Sequence, residues 1–196
     1  MESINHKSNK IGDIEMCKQP IINTDRLQLR SFELRDSSRV RELAGDPKVA
    51  ETTLNVPHPY EDGMAEAWIN MHKDIFINKK GIIYAIVKKE DNELVGTVGL
   101  HINNTHRKAE LVYWIGVPYW SKGYCTEASR ALLAFGFKEL NLNRIYALAM
   151  ESNVASYKVM EKIGMKYEGT RRQDIIKNGV AIDLKSYAIL KEEFNE

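Results

Sequence analysis

The sequence has few of the residues from which metal centres and disulfide frameworks are built. Its two cysteines, Cys17 and Cys125, lie far apart, and neither belongs to a cysteine and histidine cluster with zinc-binding spacing. The five histidines show no HExxH pattern. We therefore expect two ordinary thiols and no bound metal.

Long apolar runs and an excess of charge of either sign are also missing. No apolar run approaches 18 residues, which excludes a transmembrane helix, and the polar N-terminus lacks the apolar core of a secretory signal. With 28 basic and 27 acidic residues the formal net charge is +1, whereas nucleic-acid-binding proteins normally carry a clear basic excess. We expect a cytoplasmic protein that binds neither membranes nor nucleic acids.

What the sequence does contain is enough apolar material for one domain. Hydrophobic residues make up 43% of the 196 positions. Residues 1–19 are expected to form a loosely held N-terminal arm, and residues 20–196 a single domain. Strand and helix patterns follow one another in the order β-α-α-β-β-β-α-β-α-β-β. This order predicts an α/β (or α+β) fold with a mixed, mostly antiparallel central sheet of about seven strands and helices on both faces.

The spacing of apolar residues places the individual elements. The predicted strands cover residues 25–32, 82–88, 94–102, 109–117, 143–149, 166–176 and 180–190. The predicted helices cover residues 37–44, 62–78, 123–140 and the stretch from Asn153 to Gly164. Asp36 is expected to cap the first helix and Asp46-Pro47 to end it. The two prolines of Asn55–Tyr60 predict an extended loop.

The clearest chemical signal lies within residues 109–165. A predicted strand ending at Val117 is followed by a short loop containing Gly123 and then at once by a helix. The first N–H groups of a helix have no partner within it, and the helix dipole attracts an anion. Gly123 lets a ligand approach the main chain, and Lys122 could add charge. The pattern fits a diphosphate site, but an ordinary glycine turn between a strand and a helix looks the same.

The same stretch resembles the GNAT superfamily of N-acetyltransferases, and more narrowly the branch that acetylates the N-termini of ribosomal proteins. The branch motif Tyr-Trp-Gly-Lys-Gly-Tyr-Ala-Thr-Glu-Ala agrees with residues 119–128 at eight of ten positions, and the two departures are Ser121 and Cys125. The segments 24–30 and 57–60 are also similar, so the resemblance spans about residues 21–190. A downstream block typical of the branch appears as Asn153, Ser156, Gly164 and Met165.

The resemblance implies acetyl-CoA as the acetyl donor. Its diphosphate would lie on the loop, and its pantetheine arm would follow a strand edge exposed where the family's strands splay apart. Lys158 and Lys162, one turn apart, would meet the 3′-phosphate, unless they simply form a solvated helix face. Asn153 would contact the cofactor, cap its helix, or do both. The implied cofactor contacts are Ile115, Gly116, Val117, Ser121, Lys122, Gly123, Tyr124, Cys125, Thr126, Asn153, Lys158 and Lys162.

Two catalytic side chains follow from the same resemblance. Glu110, on a strand face that is otherwise apolar, is interpreted as the base that acts on the acceptor amine. The alternative is a surface glutamate at a strand end. Ser156 is interpreted as the hydrogen-bond partner of the leaving thiolate, with a plain helix serine as the alternative. Met160 stands where many other GNAT enzymes have a tyrosine acid, and methionine cannot donate a proton.

The acceptor pocket is expected at the 55–60 loop and the 62–78 helix. Its candidate residues can equally be explained by packing, and Arg26 and Arg30 are expected to brace the first strand rather than touch substrate. The candidates are His58, Tyr60, Trp68 and Tyr84.

The predicted activity is acetyl-CoA-dependent acetylation of a primary amine, and a protein N-terminal α-amine is the favoured acceptor. Neutralising an α-ammonium at pH 7 costs roughly 1.4 kcal/mol, against roughly 4.6 kcal/mol for a lysine. Acetylation of a small amine (an amino acid, polyamine or antibiotic) and a CoA-binding sensor without turnover are the alternatives. A homodimer is the base-rate expectation.

Overall fold

A computed structural model describes residues 18–195, which form eight strands and five α-helices joined by loops and short 3-10 turns. The strands are β1 (Ile22–Asn23), β2 (Leu27–Arg30), β3 (Gly81–Lys88), β4 (Leu94–Asn103), β5 (Lys108–Ile115), β6 (Arg144–Met150), β7 (Lys166–Lys177) and β8 (Val180–Leu190). The helices are α1 (Ser37–Ala44), α2 (Pro47–Thr52), α3 (Met64–Ile77), α4 (Tyr124–Lys138) and α5 (Val154–Lys162).

The strands form one mixed sheet in the order β1-β2-β3-β4-β5-β6-β8-β7. Neighbours run antiparallel except β5 and β6, which are parallel. The predicted α/β class with a mostly antiparallel sheet is confirmed. The strand not foreseen is β1, whose two residues are too few to show a period.

The structure describes only the last two residues of the predicted N-terminal arm, Lys18 and Gln19. Most of the predicted arm, with Cys17, lies outside the described residues. Gln19, however, is 8% exposed, and its Nε2 donates to the Ile83 carbonyl at 2.9 Å. The folded domain therefore begins no later than Gln19, because this side chain is bonded to a central strand.

Helices cover both faces of the sheet. Gly136 of α4 packs directly against Leu100, and Trp68 of α3 has its ring 6.4 Å from that of Trp114. Leu100 pairs with Leu111, three residues before Trp114, and successive strand side chains alternate between faces. The two faces can therefore be named the α4 face and the α3 face. No helix of the described range is long and apolar enough to cross a membrane.

The parallel pairing in the centre of the sheet is short. Three residues of β5, Lys108–Glu110, pair with Arg144–Tyr146 of β6, although both strands continue beyond them. Past this point β5 and β6 separate. We call the opening between residues 111–115 and 147–150 the wedge.

A proline that was expected to stop one helix begins another. The Asp46 carboxylate accepts the Lys48 N–H at 2.9 Å, and Pro47 takes the first helical position of α2, where its missing N–H costs nothing. Asp36 does precede α1, but its carboxylate does not cap the helix. It forms a two-bond ion pair with Arg30, with distances of 2.7 and 2.8 Å.

A buried histidine lies among aromatic rings on the α3 face. The ring of His72 is 4.3 Å from that of Trp68 and 5.3 Å from that of Phe32, and the residue is 8% exposed. Neither ring nitrogen has a hydrogen-bond partner within residues 18–195. Burial, with a smaller contribution from His101, lowers the pKa of His72 to about 4. His72 is therefore neutral in the folded protein at pH 7.

We predict that His72 makes the fold sensitive to acid. In the unfolded chain its pKa is about 6.5, so between pH 6.5 and pH 4 the unfolded chain binds a proton that the folded chain does not. As the pH falls through this range, the titration of His72 should lower the free energy of unfolding by roughly 3 kcal/mol. Urea unfolding between pH 7 and pH 4 measures the slope. His72→Leu should flatten it, whereas His106→Gln, at an exposed site, should not; equal slopes would contradict the prediction.

Candidate active site

The connection between β5 and α4 is a tight turn. A 3-10 turn over Val117–Tyr119 follows the strand, and Ser121 and Gly123 then adopt positive φ values of 61° and 80°. α4 begins at the next residue, Tyr124. Glycine suits the left-handed position at Gly123 because it has no Cβ.

The N-terminus of α4 has backbone donors without helical partners. No side chain of the described residues caps it, and its first backbone bond runs from the Glu127 N–H to the Gly123 carbonyl at 3.0 Å. The donors that precede this bond point out of the helix end, where they can bind an anion. They belong to Tyr124, Cys125 and Thr126.

The side chains of this loop differ in what they can contribute. Ser121 and Lys122 are exposed, and the Lys122 ammonium lies 5.4 Å from the centre of the Tyr119 ring. Burial raises the pKa of the Cys125 thiol to about 12, so it stays neutral. The backbone, with Lys122 beside it, is therefore the part of the loop suited to a phosphate.

Gly116 cannot offer its backbone to a ligand, contrary to the prediction. Its N–H donates to the Val95 carbonyl and its carbonyl accepts the Tyr119 N–H, both at 2.9 Å. The next carbonyl, of Val117, accepts the Trp120 N–H at 3.2 Å. These bonds leave neither group of Gly116 without a partner, and the 3-10 turn begins at Val117.

The strand edge that faces the wedge lies earlier in β5. Backbone groups of alternate residues point to opposite sides of a strand, and those of Gly116 point to β4. Leu111, Tyr113 and Ile115 therefore direct theirs toward the wedge. The Ile115 carbonyl already accepts the Trp120 indole N–H at 2.7 Å. The edge of β5 that faces the wedge thus extends back to Leu111, and cofactor contacts by Ile115 and Val117 stay a prediction.

Glu110 occupies the last paired position before the wedge. It lies opposite His101 on β4 and Tyr146 on β6, and it is half-buried. The Tyr146 hydroxyl donates to Glu110 Oε2 at 3.3 Å. Burial, together with the Glu110 carboxylate, raises the pKa of Tyr146, so the phenol keeps its proton. By strand alternation from Trp114, Glu110 faces the α3 side.

Ser156 lies on the other face of the sheet. The hydroxyl of Tyr113 is 2.9 Å from Ser156 Oγ and 3.1 Å from the Ser156 carbonyl. Tyr113 is three residues beyond Glu110 on β5, so it points to the α4 face. Burial raises the pKa of Tyr113, which stays a phenol. A carboxylate and a hydroxyl pair thus lie on opposite faces of one strand that borders the wedge.

Comparison with known protein families identifies the family of this chain. The model of the GNAT acetyltransferase domain matches residues 26–166, more than half of the chain. The chain belongs to the GNAT acetyltransferase family. It is an N-acetyltransferase, and acetyl-CoA is the acetyl donor of this family. The predicted family and donor are confirmed.

Individual relatives agree with this assignment. The putative ribosomal N-acetyltransferase YdaF of Bacillus subtilis is 31% identical over 185 residues, covering 87% of this chain and 94% of YdaF. The spermidine N(1)-acetyltransferase of Escherichia coli K12 is 33% identical over 156 residues, covering 78% of this chain and 80% of that enzyme. The crystal structure of a GNAT-family acetyltransferase from Bacillus anthracis has a TM-score of 0.78 at 33% identity, covering 89% of this chain and 100% of that one.

Asn153 of this acetyltransferase caps α5 and also reaches α2. Its Oδ1 accepts the Ser156 N–H at 3.1 Å, and its Nδ2 donates to the Thr52 carbonyl at 2.8 Å. A cofactor contact by Asn153 stays a prediction, and so does the 3′-phosphate role of Lys158 and Lys162, which are exposed on α5.

The four predicted acceptor residues do not form one pocket. The prediction for Tyr84 is wrong, because the residue is 0% exposed and lies on the α4 face. Ile82, two residues earlier on the same face of β3, pairs with Leu100 of that face. Trp68 belongs to the aromatic cluster around His72, while Tyr60 lines an open depression beside α1 and α2. His58 is exposed. Within residues 18–195 no group of three or more His, Cys, Asp or Glu could hold a metal ion.

Sequence reasoning missed the partners of the candidate residues. Tyr113 and Tyr146 look like ordinary strand aromatics, since nothing local relates them to Ser156 or Glu110. A signal was available for Glu127, because a carboxylate in the first turn of a helix that is expected to bind an anion repels that anion unless its charge is offset.

We predict that Gly123→Val weakens CoA binding by tenfold or more, because a β-branched residue resists φ near 80° and narrows the approach to the loop. Titration calorimetry with CoA measures the effect. Gly63→Val is the matched control: Gly63 also precedes a helix, α3, with a φ of 83°. It should lose similar stability and keep its affinity. Equal affinities of the two variants would remove the loop from the donor site.

Proposed function

We propose that this GNAT enzyme acetylates the N-terminal α-amine of a protein, of the kind found on ribosomal proteins. The observation that carries the proposal is the Tyr146–Glu110 pair at the point where β5 and β6 part. The pair gives the wedge a carboxylate for amine chemistry on its α3 face. The relative YdaF, named a putative ribosomal N-acetyltransferase, supports the same acceptor class.

In this proposal the donor enters along the α4 N-terminus. The N–H groups of residues 124–126 hold the diphosphate, and the amides of the pantetheine arm bond to the edge of β5 that faces the wedge, as an added strand would. This path carries the thioester into the wedge. The reacting carbonyl then lies between Glu110 on one face and Ser156 on the other.

Glu110 acts on the amine. An α-ammonium with a pKa of about 8 is partly neutral at pH 7, so a carboxylate working through water can take its proton. The amine nitrogen attacks the thioester carbonyl, the C–N bond forms, and the C–S bond breaks as the tetrahedral intermediate collapses. The Tyr146 phenol orients the carboxylate throughout.

Ser156 acts on the leaving thiolate. The single hydrogen of the Tyr113 hydroxyl has two acceptors, the Ser156 carbonyl at 3.1 Å and Ser156 Oγ at 2.9 Å. When it is donated to Oγ, the serine hydrogen is left to bond to the sulfur. Met160 is 1% exposed and has no acidic proton, so it cannot serve. A pair of catalytic groups at the wedge argues against a CoA sensor without turnover.

The charges around Glu110 bear on the acceptor class. Lys108 Nζ and Arg171 Cζ each lie 5.9 Å from the centre of the Tyr146 ring. Asp174 lies 3.5 Å from Arg171 and offsets part of this charge. Nearby cations repel a polyamine, with its several charges, more than a chain terminus with one. The spermidine N(1)-acetyltransferase relative makes a polyamine the rival acceptor to test.

Thiol release from acetyl-CoA tests the acceptor class. The acceptors to compare are a lysine-containing peptide with a free N-terminal serine or alanine, the same peptide with its N-terminus acetylated, spermidine, and single amino acids. We expect turnover with the free N-terminus and little with the blocked peptide. Faster turnover with spermidine or an amino acid would replace the proposed acceptor, and none with any amine would favour a sensor.

We predict that Glu110→Gln and Ser156→Ala each lower kcat by about tenfold or more while the Kd for CoA stays within about twofold, since the diphosphate is held elsewhere. Wild-type activity should rise between about pH 6 and pH 8 as the acceptor α-amine loses its proton. Glu90→Gln, at an exposed turn, is the control and should match wild type. A variant that keeps turnover within about twofold across this pH range would lose its catalytic role.

A further inference from the structure

The start of the folded chain is tied to the diphosphate loop through Glu127, in the first turn of α4. Glu127 Oε1 accepts the Thr24 hydroxyl at 2.6 Å and the Arg26 backbone N–H at 2.9 Å. Oε2 accepts Arg26 Nε at 2.7 Å and lies 2.7 Å from Nη2. One carboxylate thus joins two segments that are about 100 residues apart.

The Arg26 guanidinium also reaches the loop itself. Nη1 donates to the Lys122 carbonyl at 3.0 Å, and the guanidinium carbon lies 4.8 Å from the centre of the Tyr124 ring. Nη2 would be 3.4 Å from a Cβ placed on Gly123. The side chain is nevertheless 51% exposed. Arg26 therefore contacts Lys122 and Tyr124, the residues on either side of Gly123, while open to solvent.

Glu127 creates an electrostatic problem for the site. A carboxylate in the first turn favours the empty helix, but it repels a diphosphate bound to the same turn. Burial alone would raise the pKa of Glu127; the bonds from Thr24 and Arg26 outweigh it and hold the pKa below its ordinary value. Glu127 is therefore ionised at neutral pH, and a bound anion needs its charge to be offset.

We propose that Arg26 is a positioning residue for the donor: it offsets the charge of Glu127 and, by bonding the Lys122 carbonyl, holds the loop in its anion-binding shape. The proposal rests on the placement of the donor diphosphate on this loop. It goes beyond the expected role of Arg26 as a brace of the first strand, since a brace alone would affect stability and not CoA affinity.

Titration calorimetry with CoA and steady-state kinetics test the proposal. Arg26→Gln should raise the Kd for CoA by about tenfold, with kcat at saturating acetyl-CoA within about twofold of wild type. The KM for acetyl-pantetheine, which lacks the diphosphate, should not change. A Kd within threefold of wild type, or an equal loss with acetyl-pantetheine, would overturn the proposal.

Removal of the opposing charge provides a second test. In Arg26→Gln/Glu127→Gln the glutamine oxygen can still accept from Thr24, but the negative charge is gone. This double variant should bind CoA at least threefold more tightly than Arg26→Gln alone; equal or weaker binding would overturn the proposal. Arg35→Gln, an exposed arginine paired with Glu33, is the control and should bind like wild type.

Two further comparisons separate the possible failures. If Gly123→Val weakens CoA binding but Arg26→Gln does not, the present inference fails and the loop placement survives. If neither variant weakens binding, the loop placement itself fails. Thermal unfolding checks that each variant is folded. Should Arg26→Gln not fold, Arg26→Met keeps the apolar stem over Tyr124 and carries the same expectation.

Discussion

The early end of the β5–β6 pairing is the constraint on which the rest of the site depends. Parallel strands in the middle of a sheet normally satisfy each other's backbone groups, and unpaired groups there are costly unless something binds them. Here the bonding stops at Glu110 and Tyr146, while β5 stays bonded to β4 and β6 to β8. The sheet is thereby held open without losing either strand, and its free edge suits a ligand that carries amides of its own.

The two candidate catalytic groups lie on opposite faces of the sheet, on either side of the wedge. Strand alternation sends Glu110 to the α3 face and Tyr113, with its partner Ser156, to the α4 face. In an unbroken sheet the backbone would separate them. In the function proposed above, the opening between the strands would let one reacting carbonyl meet an acceptor from one side while its leaving group meets a hydroxyl on the other.

Long-range polar contacts hold the elements around this opening. Asn153 ties α5 to the end of α2, and Lys177 of β7 donates to the Ala50 carbonyl of α2 at 2.6 Å. Both bonds reach carbonyls in the last turn of a helix, where helical partners are missing or, as with the 3.4 Å bond from the Thr53 N–H to the Ala50 carbonyl, long. The Glu127 carboxylate does the same work between the first strand and α4. The site is thus assembled by side chains that satisfy helix ends and strand ends at once.

The sequence by itself determined what depends on neighbours in the chain: α1 over Ser37–Ala44, the strand-glycine-helix turn at Gly123, and, through motif resemblance, the family and its donor. It placed Asp46-Pro47 correctly at the end of α1 but missed α2, which begins at the same dipeptide. Tertiary structure alone decided that Tyr84 is buried, that the backbone of Gly116 is bonded within the protein, and which side chains come into contact at the site. Three contacts join residues 36, 43 and 101 positions apart: Tyr146–Glu110, Tyr113–Ser156 and Arg26–Glu127. Strand register and helix packing create these contacts, and the local periodicity of the sequence predicts neither.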